Sequence, residues 1–244
     1  MEPQEEKKFE DNHLLETIRS VCVPVHPAGW MFIAIFALVS LGVSLFWSSF
    51  AWIGLIATAW CIYFFRDPDR ITPLREGLIV SPADGVVQKI VTCVPPAELQ
   101  LGNQPRARVS IFLNVFDVHV NRTPIEGSVS AMHYHHGKFL NAALDKASED
   151  NERQLIKITT PDSLTVGVVQ IAGLVARRIL CGLKVGQSVK TGERFGMIRF
   201  GSRVDVYLPG ECAPLVIEGQ RAVGGETILA DLKSNESQRV GTKH

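Results

Sequence analysis

The 36 residues from Trp30 to Phe65 contain no charged side chain, and no other feature of this chain restricts its fold so severely. A helix crossing the hydrocarbon core needs about 20 apolar residues, so the run is long for one pass and short for two. Its least apolar part, Ser40 to Ser49, includes Gly42, Ser44, Ser48 and Ser49 and offers a turn. The expected element is a tight helical hairpin over residues 30–65, with arms near 30–46 and 50–65, embedded in a membrane where each helix satisfies its own backbone. Trp30, Trp47, Trp52, Trp60 and Tyr63 suit interfacial depth. Lys7, Lys8 and Arg19 precede the run and Arg66, Arg70 and Arg75 follow it, so both flanks read as cytoplasmic, at the inner face of the cell membrane. A charged segment, 1–29, precedes the run and no small-x-small site ends it, which argues against a cleaved signal peptide. A buried hairpin in a soluble core is the alternative.

Beyond the hairpin the pattern changes. From Gly77 onward, short β-branched runs are punctuated by Gly and Pro, as in Leu78–Val80, Val86–Val91, Ala107–Leu113, Gly127–Met132, Arg153–Thr159, Thr165–Ile171 and Val204–Leu208. They predict a mainly β, antiparallel sandwich or hybrid-barrel-like domain over 66–232, followed by a polar, flexible tail at 233–244. Helices are expected at Phe139–Ser148 and, with a strand as alternative, at Leu174–Leu180. Gly182 to Gly196 has the glycine-spaced rhythm of hairpins in lipoyl-like hybrid barrels, and residues 1–20 read as a flexible or weakly helical tail. Lys plus Arg (25) balances Asp plus Glu (25), so no basic field points to nucleic acid. Five scattered cysteines without a Cys-x-x-Cys spacing fit neither a disulfide framework nor a zinc site.

The chemistry concentrates at Gly201-Ser202. The hydroxyl of a serine can attack the preceding carbonyl, and glycine there adds no bulk and tolerates a strained backbone. The resulting ester can eliminate, leaving dehydroalanine, which hydrolyses to a pyruvoyl group with loss of ammonia. Gly-Ser is also an ordinary turn dipeptide. Its company decides: Phe65-Arg-Asp-Pro-Asp-Arg70, Ser81-Pro-Ala-Asp-Gly85, Phe116-Asp-Val-His-Val-Asn-Arg122, Gly137-Lys138, Asn151-Glu152-Arg153 and Val169-Gln-Ile-Ala-Gly-Leu-Val-Ala-Arg-Arg-Ile179 precede it in that order. Over roughly residues 60–232, this ordered set resembles phosphatidylserine decarboxylase of the short bacterial type.

The resemblance implies a lyase that matures by cutting itself between Gly201 and Ser202 into a β chain, 1–201, and an α chain, 202–244. It implies a pyruvoyl cofactor made from Ser202, with phosphatidylserine as substrate and phosphatidylethanolamine as product. His119, following an apolar strand and near-neutral in pKa, is the candidate base, and Asp84 the acid that would orient it. Arg122, Arg177 and Arg178 are candidates for the phosphodiester, since guanidinium suits bidentate phosphate contact. The chain departs from longer relatives, which resemble Asp-Tyr-His-Arg-Val-His, by having Asp117-Val-His119-Val-Asn121-Arg122, and by placing Arg203 after the serine. His133, His135 and His136 would split between two strand faces, so no metal is expected. A serine hydrolase using Ser202, His119 and Asp84 would lack a Gly-x-Ser-x-Gly elbow, and a membrane adaptor would need none of these residues. The sequence leaves a homo-oligomer open.

Overall fold

The computed structural model describes residues 23–47, 49, 51–138, 142, 150–173, 178–199 and 201–242. The chain divides between Asp69 and Arg70 into two compact units. In the first, a 3-10 turn, Pro27–Gly29, is capped by His26, whose Nδ1 accepts from the Ala28 N–H at 3.2 Å. It leads into helix α1 (Trp30–Phe46), and helix α2 (Ala51–Phe64) follows. An antiparallel bridge, Val25 to Arg66, closes the base of the pair, with the His26 N–H on the Phe65 carbonyl at 2.7 Å. Hydroxyls on these apolar helices are satisfied locally, Ser44 by the Leu41 carbonyl at 2.7 Å and Thr58 by the Gly54 carbonyl at 2.8 Å.

Helix α1 buries none of its residues, and Leu38, Leu45 and Phe46 are 68%, 78% and 79% exposed, which is the reverse of a soluble core helix. The turn and α1 together span 20 residues with mean hydropathy 2.2, long and apolar enough to cross a membrane. The two helices fall where the arms of the hairpin were expected, and the second is the shorter. At 14 residues, α2 is about 21 Å long against a hydrocarbon core of about 30 Å. One helix, not two, therefore has the length and composition for a full span among the described residues.

The second unit is built of strands whose pairings are all antiparallel. In chain order they are β1 (Leu78–Val80), β2 (Gly85–Cys93), β3 (Arg106–Leu113), β4 (Val120–Arg122), β5 (Gly127–His135), β6 (Arg153–Thr159), β7 (Thr165–Ala172), β8 (Ile179–Cys181), β9 (Ser188–Val189), β10 (Arg194–Ile198), β11 (Ser202–Tyr207), β12 (Arg221–Ala222) and β13 (Ile228–Asp231). Eight form one sheet in the order β12-β2-β3-β11-β7-β6-β5-β9; β4-β10-β8 and β1-β13 form two smaller ones. The expected mainly β, antiparallel fold is what the chain adopts. Of the helix or strand expected over Leu174–Leu180, residues 174–177 lie outside the described residues, and Ile179 and Leu180 belong to strand β8. The helix expected at Phe139–Ser148 falls outside them except for Ala142, as does the tail at 1–20. The Gly182–Gly196 segment is a wide antiparallel loop, closed where β8 pairs with β10 and the Gly182 N–H donates to the Phe195 carbonyl at 2.8 Å. Gly186 and Gly192 turn it with φ of +86° and +79°, but β9 joins the edge of the large sheet and β10 the middle of the three-stranded one.

Strand β11 is central and entirely buried, paired on one side with β3 and on the other with β7. Its alternation divides the interior. Ser202, Val204 and Val206 face Ile111, Leu113 and Val168 in the main core, while Tyr207 on the other face packs with Leu99, Leu101, Leu155 and Ile171. Arg203 also takes that second face. Its Nε lies 2.9 Å from Asp205 Oδ1 and one terminal nitrogen donates to the Ala142 carbonyl at 3.1 Å, a buried ion pair that anchors the strand start on the side away from Ser202.

Candidate active site

After Leu113, strand β3 gives way to a turn that sets the histidine's chemistry. Asn114 is an ordinary turn residue: its side-chain oxygen accepts from the Phe116 N–H at 2.8 Å, and its carbonyl accepts from the Asp117 N–H at 3.0 Å. Asp117 is buried, with one carboxylate oxygen accepting from the Asn114 N–H at 2.9 Å and the other paired with Arg221. The turn so fixed presents the Asp117 carbonyl to His119 Nδ1 at 2.9 Å. On the other side of the ring, Nε2 accepts the Gly201 N–H at 3.3 Å. A carbonyl only accepts and an amide N–H only donates, so the ring is neutral with its proton on Nδ1. Nε2 carries the lone pair. His119 is fully buried, and the tautomer leaves an unprotonated nitrogen on the N–H of Gly201, the residue before Ser202.

Gly201 has φ +71°, in the left-handed region that favours glycine. Ser202 follows as the first residue of β11, with no exposure and an Oγ that has no hydrogen-bond partner among the described residues. A buried hydroxyl without a partner is costly and uncommon. The Gly201 carbonyl lies against Gly173: a Cβ at 173 would sit 3.1 Å from the Gly201 carbonyl carbon and nearer still to its oxygen. The neighbouring strand end is clamped. Asn151 Nδ2 donates to the Ala172 carbonyl at 2.7 Å, the Ala172 N–H donates to the Glu152 carbonyl at 2.9 Å, and Ala172 is the cross-strand partner of Ser202. Tyr134 in turn donates to Glu152, and burial together with that carboxylate pushes the phenol up to about 12. Asn151-Glu152 thus holds the scissile region from outside.

Asp84 sits on the Ser81–Gly85 turn, at the sheet end shared with Ser202, because Val86 pairs with Phe112 and Ser202 with Leu113. Its carboxylate accepts from Arg70 at 2.7 Å and from the Gly224 N–H at 2.8 Å, while the contact fixing the His119 tautomer comes from the Asp117 carbonyl. Arg122 is buried and donates to the Gly192 carbonyl at 3.0 Å. Arg177 lies outside the described residues. Arg178 is exposed, and the Ile198–Ile179 register sets it opposite Arg199, whose N–H reaches the Arg178 carbonyl at 3.4 Å. Burial and then the like charge of Arg178 hold the Arg199 guanidinium below its ordinary value. Sequence reading missed Arg199; its signal was its place three residues before Ser202. Two buried amides, Asn121 and Gln170, also face this region, with Gln170 Nε2 donating to Asn121 Oδ1 at 2.8 Å. Among the described residues no group of three or more His, Cys, Asp or Glu side chains could share a metal. Burial pushes the Cys181 and Cys212 thiols up, which leaves them poor nucleophiles.

The family described as phosphatidylserine decarboxylase matches residues 57–230. The chain is 59% identical over 227 residues to a phosphatidylserine decarboxylase proenzyme of Cereibacter sphaeroides, covering 93% of this chain and 98% of the relative. A protein of the same name from Paramagnetospirillum magneticum is 54% identical over 218 residues, 89% of this chain and 91% of the relative. A third, from Nitrobacter winogradskyi, is 52% identical over 222 residues, 91% of this chain and 90% of the relative.

Proposed function

The chain belongs to the phosphatidylserine decarboxylase family, and from that premise we propose that it removes the carboxyl group of phosphatidylserine after cutting its own backbone between Gly201 and Ser202. The observation that carries the self-processing step is the unpartnered, buried Ser202 Oγ directly after a left-handed Gly201 whose N–H is held by an unprotonated His119 Nε2. His119 takes the proton as Ser202 Oγ attacks the Gly201 carbonyl carbon. The peptide C–N bond breaks, the amine of residue 202 is freed, and an ester links the two. Loss of the proton on Cα of residue 202 and departure of the ester oxygen from Cβ leave dehydroalanine, which takes up water and releases ammonia to become a pyruvoyl group.

The surroundings fit that group: position 202 is enclosed, and its side chain leaves the strand towards the main core. A pyruvoyl group supplies an electron sink for the pair left on the substrate carbon when carbon dioxide departs, the job pyridoxal phosphate does elsewhere. The chain's own part is to exclude water, to hold the headgroup and to return a proton to that carbon, for which His119 is in reach of residue 202 through Gly201. Asp84 holds the adjoining turn with Arg70 and the Gly224 N–H, and Arg178 and Arg199 offer paired guanidinium charge to the phosphodiester. The two fragments stay together because the α chain begins as the central, doubly paired strand of the large sheet and also supplies β12 and β13. The apolar helices would attach the protein to the cytoplasmic face of the membrane, where its lipid substrate resides.

Intact mass under denaturing conditions tests this reading. The wild-type protein should give two chains, the smaller starting at a blocked residue 202 that reacts with a carbonyl reagent, and Ser202→Ala should give one inactive chain. An active wild-type protein that remains a single chain refutes self-processing.

A further inference from the structure

Ser202 shares its face of the sheet with Gln170, which is bonded to Asn121, and no step above uses either amide. Gln170 stands directly opposite Val204 on the β7–β11 ladder, on the side of β7 that carries Ala172, the partner of Ser202. In an antiparallel ladder such a diagonal neighbour lies about 7–8 Å away, within reach of a glutamine side chain. Asn121 comes two residues after His119 and bridges from the three-stranded sheet to Gln170. Both residues have zero exposure. Their mutual bond uses one donor and one acceptor, and Asn121 Nδ2 and Gln170 Oε1 have no partner among the described residues. Turning both amides over exchanges the atoms and leaves the count the same: one N–H and one carbonyl remain. Apolar residues of similar volume would fill the space without that cost.

A spare donor beside a spare acceptor is the complement of an α-amino acid end, whose carboxylate accepts and whose amine donates. We propose that the Asn121–Gln170 pair binds the amino-acid end of the lipid headgroup, the spare N–H on its carboxylate and the spare carbonyl on its amine. The inference rests on phosphatidylserine being the substrate. An uncharged donor also suits the reaction. The carboxylate must be lost, and a guanidinium in that place would stabilise the charged ground state more than a transition state from which the charge is leaving. An amide orients the carboxylate without that penalty, and leaves the permanent charge of Arg178 and Arg199 for the phosphodiester.

The test compares glycerophosphoserine with glycerophosphoethanolamine, which differ in the carboxylate alone, as ligands of the mature protein after borohydride reduction, so that neither is turned over. Calorimetric binding to the wild-type protein should favour the serine compound by roughly 10- to 100-fold. Asn121→Leu, which removes the spare N–H, should abolish that preference by weakening the serine compound, and Gln170→Met, which removes the spare carbonyl facing the amine, should weaken both compounds, each variant with a melting temperature equal to or above wild type. Asn121→Asp, which sets a like charge against the carboxylate, should reverse it. A folded Asn121→Leu protein that keeps the wild-type preference overturns the proposal. So does failure of these variants to cut at Gly201–Ser202, which would assign the pair to cleavage. Mass spectrometry of the same samples reports self-processing and carbon dioxide release from phosphatidylserine reports the activity, so a wild-type protein that lacks either is told apart from a variant that loses the headgroup preference alone.

Discussion

Adding one methyl group at Gly173 should stall self-cleavage without replacing any residue that takes part in it. The Cβ of Gly173→Ala would lie 3.1 Å from the Gly201 carbonyl carbon and closer to its oxygen, whereas carbon and oxygen ordinarily meet at about 3.3–3.6 Å. Relief requires a shift of about 1 Å, and the β7 end cannot supply it, because Asn151 and Glu152 hold both backbone groups of Ala172. The scissile carbonyl must therefore move. A misplacement of about 1 Å at a reacting centre costs on the order of 10²-fold in rate, and the strain itself about 1–3 kcal/mol of stability. The assay is a time course of cleavage of freshly synthesised precursor, followed by gel and intact mass, with thermal unfolding in parallel. Gly127→Ala is the control: its Cβ would meet the Thr159 backbone at 2.9 Å, a clash of the same kind at the opposite end of the β6–β7 ladder from Ala172. It should lose comparable stability and cut at the wild-type rate. A folded Gly173→Ala chain that matures as fast as wild type would refute the placement of the scissile carbonyl.

Three further outcomes follow from the same geometry. His119→Ala should slow cleavage by about 10²- to 10⁴-fold, the usual worth of a positioned base, and Asp84→Ala should slow it too by releasing Arg70 and the Gly224 N–H; normal maturation of both variants removes them from the mechanism. The Arg75 guanidinium beside Asp231 holds that carboxyl below its usual range, so the pair's stabilisation is present above about pH 4 and is lost as pH falls through the depressed value. Asp231→Asn should therefore cost stability at pH 7 and flatten the acid limb of a melting-temperature profile, and an unchanged limb would exclude the pair as its source. A chain shortened to begin at Arg66 should leave the membrane fraction under carbonate, whereas the full chain should resist extraction; full-length protein recovered in the supernatant would rule out membrane attachment.

What the sequence determined by itself was whatever depends on neighbours along the chain. An uncharged run of 36 residues forces apolar helices irrespective of what surrounds them, and alternation in Arg153–Thr159 or Thr165–Ile171 marks strands because one face must be buried. Gly201-Ser202 was legible for the same reason, since the attacking hydroxyl and the carbonyl under attack belong to adjacent residues. Everything that prepares that bond was decided by register between distant strands. Strand β4 is only three residues long and exists through its pairing with β10, which no local pattern announces. Asn121 and Gln170 meet across 49 positions, and Gly173 lies on the Gly201 carbonyl from another strand. The contact on His119 Nδ1 illustrates the limit: it comes from the backbone carbonyl of Asp117, and every residue has a carbonyl, so the sequence carries no signal for it. The second helix fell short for a related reason. Composition set where charges were excluded, but the bridge from Val25 to Arg66 lies just beyond the end of α2 at Phe64.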